Sequence, residues 1–340
     1  MTHSPLALTA HGIGDMLAAV PVLLGFQPDN DLCLLGLEPG TVPGSDMVVF
    51  TARRDLPEPG GLPVLWAGTR AMLERDTPDA VVLVGYGPAP AVTAAIDVCR
   101  RAAADAGVWV RDAVRVTDGR YWSYLCTDPE CCPVEGTAFD TVTSTVTTAA
   151  TVHGVVVAAS RQQLADVITA VTGETAERMR GATEKADRWR DTYLRDHPPT
   201  QVARLWEMGV EVTRIGAATY RDGGSFGDGD AALLSVLLSD LRCRDLIVEA
   251  VITHAEGLDG QVALWADLTR RAQANVAACA TLLALAAWTA GQGELANIAA
   301  RRALDADPDY ELGRLIAQCI RSGLPPLTPD DVRDLASGRG

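Results

Sequence analysis

Three cysteines within seven residues, Cys126, Cys131 and Cys132, are the group in this chain best placed to do chemistry. Three thiolates with one further donor make a tetrahedral zinc site. The same thiols could instead close a disulfide across a tight turn, work as a redox switch, or stand reduced in a turn built by Asp128-Pro129. Spacing alone leaves these open. The paired C-x-x-C knuckles of a structural zinc site are missing, and the other five cysteines are scattered singly. Around the thiols lie Asp118, Arg120, Trp122, Tyr124, Asp128 and Glu130, a candidate ligand-binding set. Arg120 would hold an anion, and Asp128 or Glu130 would act as acid or base. Trp, Tyr and Arg are also the residues that dominate binding hot spots. Aromatics are only 5% of the chain, so their concentration here is local.

The elements that must position this set read as α/β. Asp118-Gly119 between two β-type runs, Val108 to Val116 and Tyr121 to Cys126, predicts a type I′ hairpin. The cysteine turn then lies at the far end of the second strand. Alternation would put Trp122 and Tyr124 on one face, with Tyr121, Ser123 and Leu125 on the other. Upstream, Leu32–Leu37 and Met47–Ala52 are short strand candidates joined by a Pro- and Gly-rich loop. Ala80–Tyr86 is a Val-rich apolar run of the kind buried on both faces. Ile13–Leu24 (with Pro21 as a kink or end), Gly61–Arg75 and Ala89–Ala106 have helical spacing. Gly85-Tyr86-Gly87-Pro88 follows a strand and precedes a helix, so its backbone could face a ligand. Thr141–Val157 is ambiguous, with a helix expected near 141–152. The expected domains are 1–160, with a mixed sheet, and 161–340, all helical.

In the second half, Ser160-x-x-Gln163 reads as a capping box. Charged Thr175–Arg195 and a segment from Thr200 to about Tyr220 follow as helices. Asp222–Asp230 reads as an acidic linker, and four helices are expected from Ala231 to Ile320. Small residues from Leu283 through Ala296 and Ala303, stopped by Pro308, resemble one tetratricopeptide unit. The tyrosine usual in its first helix is replaced by Ala287, with Trp288 beside it.

Whole-chain numbers bound the partners. A net charge of −15 disfavours nucleic acid, whose phosphates need a basic face, and anionic membrane surfaces. The longest apolar run, Val276–Ala290, is too short for the roughly 20 residues of a membrane span. The first 26 residues lack Lys and Arg, unlike a signal peptide. A cytoplasmic protein is expected. With 48% apolar residues there is ample core material. G-x-G-x-x-G, P-loop and H-E-x-x-H patterns are missing.

Three blocks carry a family resemblance: Asp15 to Pro28 with the following strand Leu32–Leu37, Tyr121 to Pro133 with Glu135-Gly136, and Leu264-Trp265 with the Ala-rich helices to Pro308. Together they resemble the actinobacterial domain-of-unknown-function family 4192. The resemblance implies a bacterial, cytoplasmic protein and brings no activity, substrate or cofactor. The residues themselves give two expectations. One is a non-catalytic binding or scaffolding protein that uses its helical half for a protein partner or homo-oligomer. The alternative is a small-ligand sensor or enzyme with its site at the hairpin turn 118–135.

Overall fold

The computed structural model describes residues 10, 12–42, 45–141, 144–253 and 257–336. They fall into two compact units, residues 1–161 and 162–340. Part of the signal-peptide reading (residues 1–9 and 11), and residues 142–143 of the ambiguous segment, lie outside the described residues.

The first unit is a six-stranded mixed sheet of order β2-β1-β3-β4-β5-β6. The strands are β1 (Asp31–Pro39), β2 (Asp46–Asp55), β3 (Ala80–Tyr86), β4 (Trp109–Thr117), β5 (Arg120–Ser123) and β6 (Thr137–Ala138). Only β3 and β4 run parallel, with Leu83 opposite Ala113. Their crossover is helix α3 (Ala89–Asp105), which starts with Pro at its first turn, where the missing N–H costs nothing. All seven residues of β3 are buried, as a strand covered on both faces requires. Leu32, Leu34, Val81, Leu83 and Ala113 share one face and pack with α2 (Leu62–Asp76) and α3. The intervening Cys33, Leu35, Val82, Val84 and Val114 are buried on the other face.

Helices α1 (Ile13–Leu24) and α4 (Thr145–Val152) pack together. Ser144 caps α4 and its hydroxyl also donates to Asp15 Oδ1 at 2.8 Å, tying the two helices at their starts. Pro21 does not end α1. The helix runs one turn further, and Gly25 closes it at φ 80°, donating its N–H to Pro21 O. Gln27 N–H then bonds Ala158 O at 2.9 Å, which anchors the segment entering β1.

The second unit is helical: α5 (Arg161–Asp166) at the boundary, then α6 (Gly173–Asp196), α7 (Pro199–Arg221), α8 (Asp228–Leu237), α9 (Leu241–Thr253), α10 (Leu258–Arg271), α11 (Val276–Thr289), α12 (Gly293–Ala306), α13 (Glu311–Arg321) and α14 (Pro329–Ala336). The expected fold class holds. The expected four helices between Ala231 and Ile320 are six, because short turns at Ser239-Asp240 and Ala272–Asn275 break the chain more often than its composition signals. The expected linker 222–230 is also shorter: Asp228 and Asp230 open α8, where carboxylates complement the helix dipole. Helix α11 is apolar all round and buried nearly throughout, against α9, α10, α12 and α13. It forms the tetratricopeptide-like hairpin with α12. No helix among the described residues is long and apolar enough to cross a membrane.

Candidate functional site

The β4–β5 hairpin turns through Asp118 at φ 49° and Gly119 at φ 70°, the two left-handed residues of a type I′ turn. β5 stops at Ser123 and does not reach Cys126. The Ser123 hydroxyl accepts the N–H groups of Leu125 and Cys126 at 3.1 and 3.0 Å, so the backbone curls out of the ladder. The strand alternation expected beyond Ser123 fails for the same reason. Tyr124 and Leu125 both pack against the core beneath α2 and α3.

The next turn gathers the thiols. The Asp128 carboxylate accepts Glu130 N–H at 2.9 Å, and Asp128 O accepts Cys132 N–H at 2.7 Å. Cys131 O accepts the Thr137 hydroxyl at 3.2 Å, which ties the turn to β6. The three sulfurs lie within 4.8 Å of one another, and Cys131 and Cys132 Sγ are 3.9 Å apart. Cys131 is exposed; Cys126 and Cys132 are half-buried. The Asp128 N–H beside Cys126 Sγ, followed by the Cys132 and Cys131 thiols, holds the Cys126 thiol below its ordinary value. Burial, then the two neighbouring thiols, pushes Cys132 up to about 12. The two shifts run in opposite directions, as expected of thiols crowded together.

Arg120, Trp122 and Tyr124 brace this turn. Arg120 donates to Gly136 O at 2.7 Å, and Trp122 Nε1 donates to Val134 O at 2.9 Å. The Arg115 guanidinium stacks on the Trp122 ring at 3.7 Å. Gly136, at φ 81°, lies flat against that ring; a Cβ there would sit 2.4 Å from Trp122 Cε2. Tyr124 shares a 2.7 Å hydrogen bond with Thr93 of α3. Asp128 and Glu130 belong to the cysteine turn, whereas Asp118 is at the opposite end of β5.

Asp118 lines a second feature, a cleft of about 370 Å³ at the carboxyl ends of β3 and β4. In α/β sheets this is where ligands bind. Leu17 and Pro21 of α1, Gln27 and Asp29 before β1, Tyr86 and Gly87 after β3, and Phe139 and Asp140 after β6 complete its walls. Gly87 has φ 135°, and its N–H bonds Val116 O at 3.0 Å, so the strand end opens without a side chain in the way. Asp29 N–H donates to the buried carboxylate of Asp31, which pairs with Arg53 and fixes the 27–30 segment. Tyr86 is 8% exposed and its hydroxyl has no hydrogen-bond partner. Burial, with the Cys33 and Asp31 charges behind it, holds that phenol protonated far above its ordinary range. Of this cleft the sequence marked Asp118 and the strand-end glycines. Leu17, Pro21 and Gln27 fall in the Asp15–Pro28 resemblance block, whereas Asp29, Phe139 and Asp140 lie in segments that carry no motif.

Across the family comparison, residues 14–327 match one model, described as a domain of unknown function (DUF4192). No curated protein and no solved structure matches the chain. The match spans both units, from α1 to the approach to α14, so this chain belongs to the DUF4192 family.

Proposed function

We propose that this protein binds a small organic cation, an amine or guanidinium compound, in the cleft at the carboxyl ends of β3 and β4. The observation that carries the reading is the makeup of the cleft wall. Asp29, Asp118 and Asp140 line it, and among the described residues no Lys or Arg does. Phe139 and Tyr86 add aromatic rings, which attract cations through their π faces. On this reading the ligand sits at the Asp118 end of the hairpin and not against Arg120, whose guanidinium is engaged by the 135–136 backbone. A cytoplasmic setting accords with all eight cysteines standing as free thiols.

The test is a thermal-shift and calorimetric comparison of the full chain with agmatine and spermidine, against glycerol and glutamate, at physiological salt. The cations should stabilise the protein, and Asp29→Asn or Asp118→Asn should weaken the effect. Equal responses to the neutral and anionic compounds, or cation binding unchanged in both variants, would overturn the reading.

A second proposal concerns the helical unit, which we propose associates with a protein or with itself. It is supported by a groove of about 720 Å³ along α6, where Ala182, Ala186 and Trp189 face Gly229 and Leu233 of α8. Trp189 is 42% exposed there, an uneconomical position for so large an apolar ring. Sedimentation equilibrium of the full chain and of Trp189→Ala tests self-association; a monomer at every concentration removes that form of it.

A further inference from the structure

We infer that Cys126, Cys131 and Cys132 form a three-thiolate site for a thiophilic metal ion, zinc or copper(I), with a coordination position left open to solvent or to an exogenous ligand. This site is separate from the strand-end cleft and does not depend on what the cleft binds. Three observations carry it. First, the spacing fits. Metal–sulfur bonds of about 2.3 Å put two sulfurs of one tetrahedral ion about 3.8 Å apart, and Cys131 and Cys132 Sγ stand 3.9 Å apart with Cys126 Sγ inside the same 4.8 Å group.

Second, the turn is braced by contacts that involve no ion. An Asx turn at Asp128, the Asp128–Cys132 backbone bond, the Thr137 strut and the Trp122–Gly136 contact hold the three side chains convergent. Ordering three separate side chains is the main cost of making such a site, and here the fold has already met it.

Third, no fourth His, Asp or Glu donor atom joins the group among the described residues, and Cys131 is exposed. Three protein ligands with an accessible face leave a position that a closed structural site would fill. Thiolates select soft or borderline ions, which sets zinc and copper(I) ahead of magnesium or calcium. On binding, each thiol that is still protonated releases its proton to solvent, so uptake weakens as pH falls.

The experiment uses the full chain, reduced and freed of metal, titrated with cobalt(II) as a probe for zinc and separately with copper(I) against a chromogenic competitor. One equivalent of cobalt(II) should give a thiolate-to-cobalt charge-transfer band and tetrahedral visible bands that zinc then bleaches. Copper(I) binding without a cobalt signal would assign the site to copper(I). Cys126→Ser and Cys132→Ser should each weaken binding by more than the roughly 10–100-fold that loss of an outer partner costs. Cys319→Ser, half-buried in α13, should leave binding unchanged. Circular dichroism shows whether each variant is folded, and the titration of the unaltered chain stands without them. Failure to bind either ion would overturn the site. So would trapping of Cys126 in a disulfide when thiols are blocked at lysis.

Discussion

The hairpin edge of the first unit and the α7–α8–α10 junction of the second are both dense in polar side chains, yet they use them differently. At the junction a core of polar side chains is consumed by one another. Arg271 donates to Asp267, to Asp228 at 3.2 Å, to Phe226 O at 3.1 Å and to Tyr220 Oη at 3.3 Å. Tyr220 in turn donates to Asp267, and Arg178 takes the second oxygen of Asp228. Trp265, fully buried beside them, donates to Gln261 at 3.0 Å. At the hairpin edge, Arg120 and Trp122 are matched by backbone carbonyls, while three sulfurs at one end face chiefly one another. A polar cluster that closes on itself holds a fold together. One that the fold assembles and leaves open is where a ligand has something to gain.

That contrast can be broken most severely at Arg271. Its side chain is 11% exposed, so Arg271→Ala should cost about 3 kcal/mol by stranding Asp267, while Asp228 keeps Arg178, read by urea unfolding of the full chain. A loss below 1 kcal/mol would mean that the junction carries no more weight than a surface pair. Gly136→Ala comes next. The φ of 81° and the Trp122 ring both oppose a Cβ, and roughly 2 kcal/mol should be lost. Cobalt affinity at the cysteine turn should fall with it, since the strut moves. Unchanged cobalt affinity in that variant would separate the turn from the Trp122 contact.

Cys279 sharpens the comparison of thiols. Burial pushes it from 9.0 up to about 12, so the folded state holds this proton more tightly than the unfolded chain does. The stabilisation is complete below pH 9 and is lost as pH climbs from 9 towards 12. Cys279→Ala should cost about 1 kcal/mol at neutral pH and flatten the alkaline decline; identical slopes in both chains would contradict the sign. Iodoacetamide near pH 8 should accordingly modify Cys131 and Cys126 ahead of Cys279 and Cys243. The smallest change is Tyr86→Phe. It removes a buried hydroxyl that no protein group satisfies, so stability in urea unfolding should hold or rise by up to about 1 kcal/mol, while the heat of cation binding stays unchanged.

Much of the architecture was legible because it is written in short-range patterns. The Val-rich run 80–86, the helical spacing of 89–105 and Asp118-Gly119 each specify local geometry through burial on two faces, an apolar stripe or two left-handed residues. Where local rules compete, reading failed. Ser123 stops β5 because its hydroxyl offers the Leu125 and Cys126 amides a nearer partner than the next strand. Asp228 looked like linker and is a helix start whose carboxylate is claimed by Arg178 and Arg271, residues about 50 and 43 positions away.

By itself the sequence determined the order of elements, the mixed-sheet and helical halves, the hairpin turn and the grouping of three thiols, since each depends on neighbours within a few residues. Only the tertiary structure decided that Gln27, Asp29, Tyr86 and Asp140 share one cleft, that Arg120, Trp122 and Tyr124 brace the turn, and that the three sulfurs converge. Those outcomes depend on strand order and on which groups meet across the sheet. A buried polar atom is satisfied or left open by partners that no local pattern names.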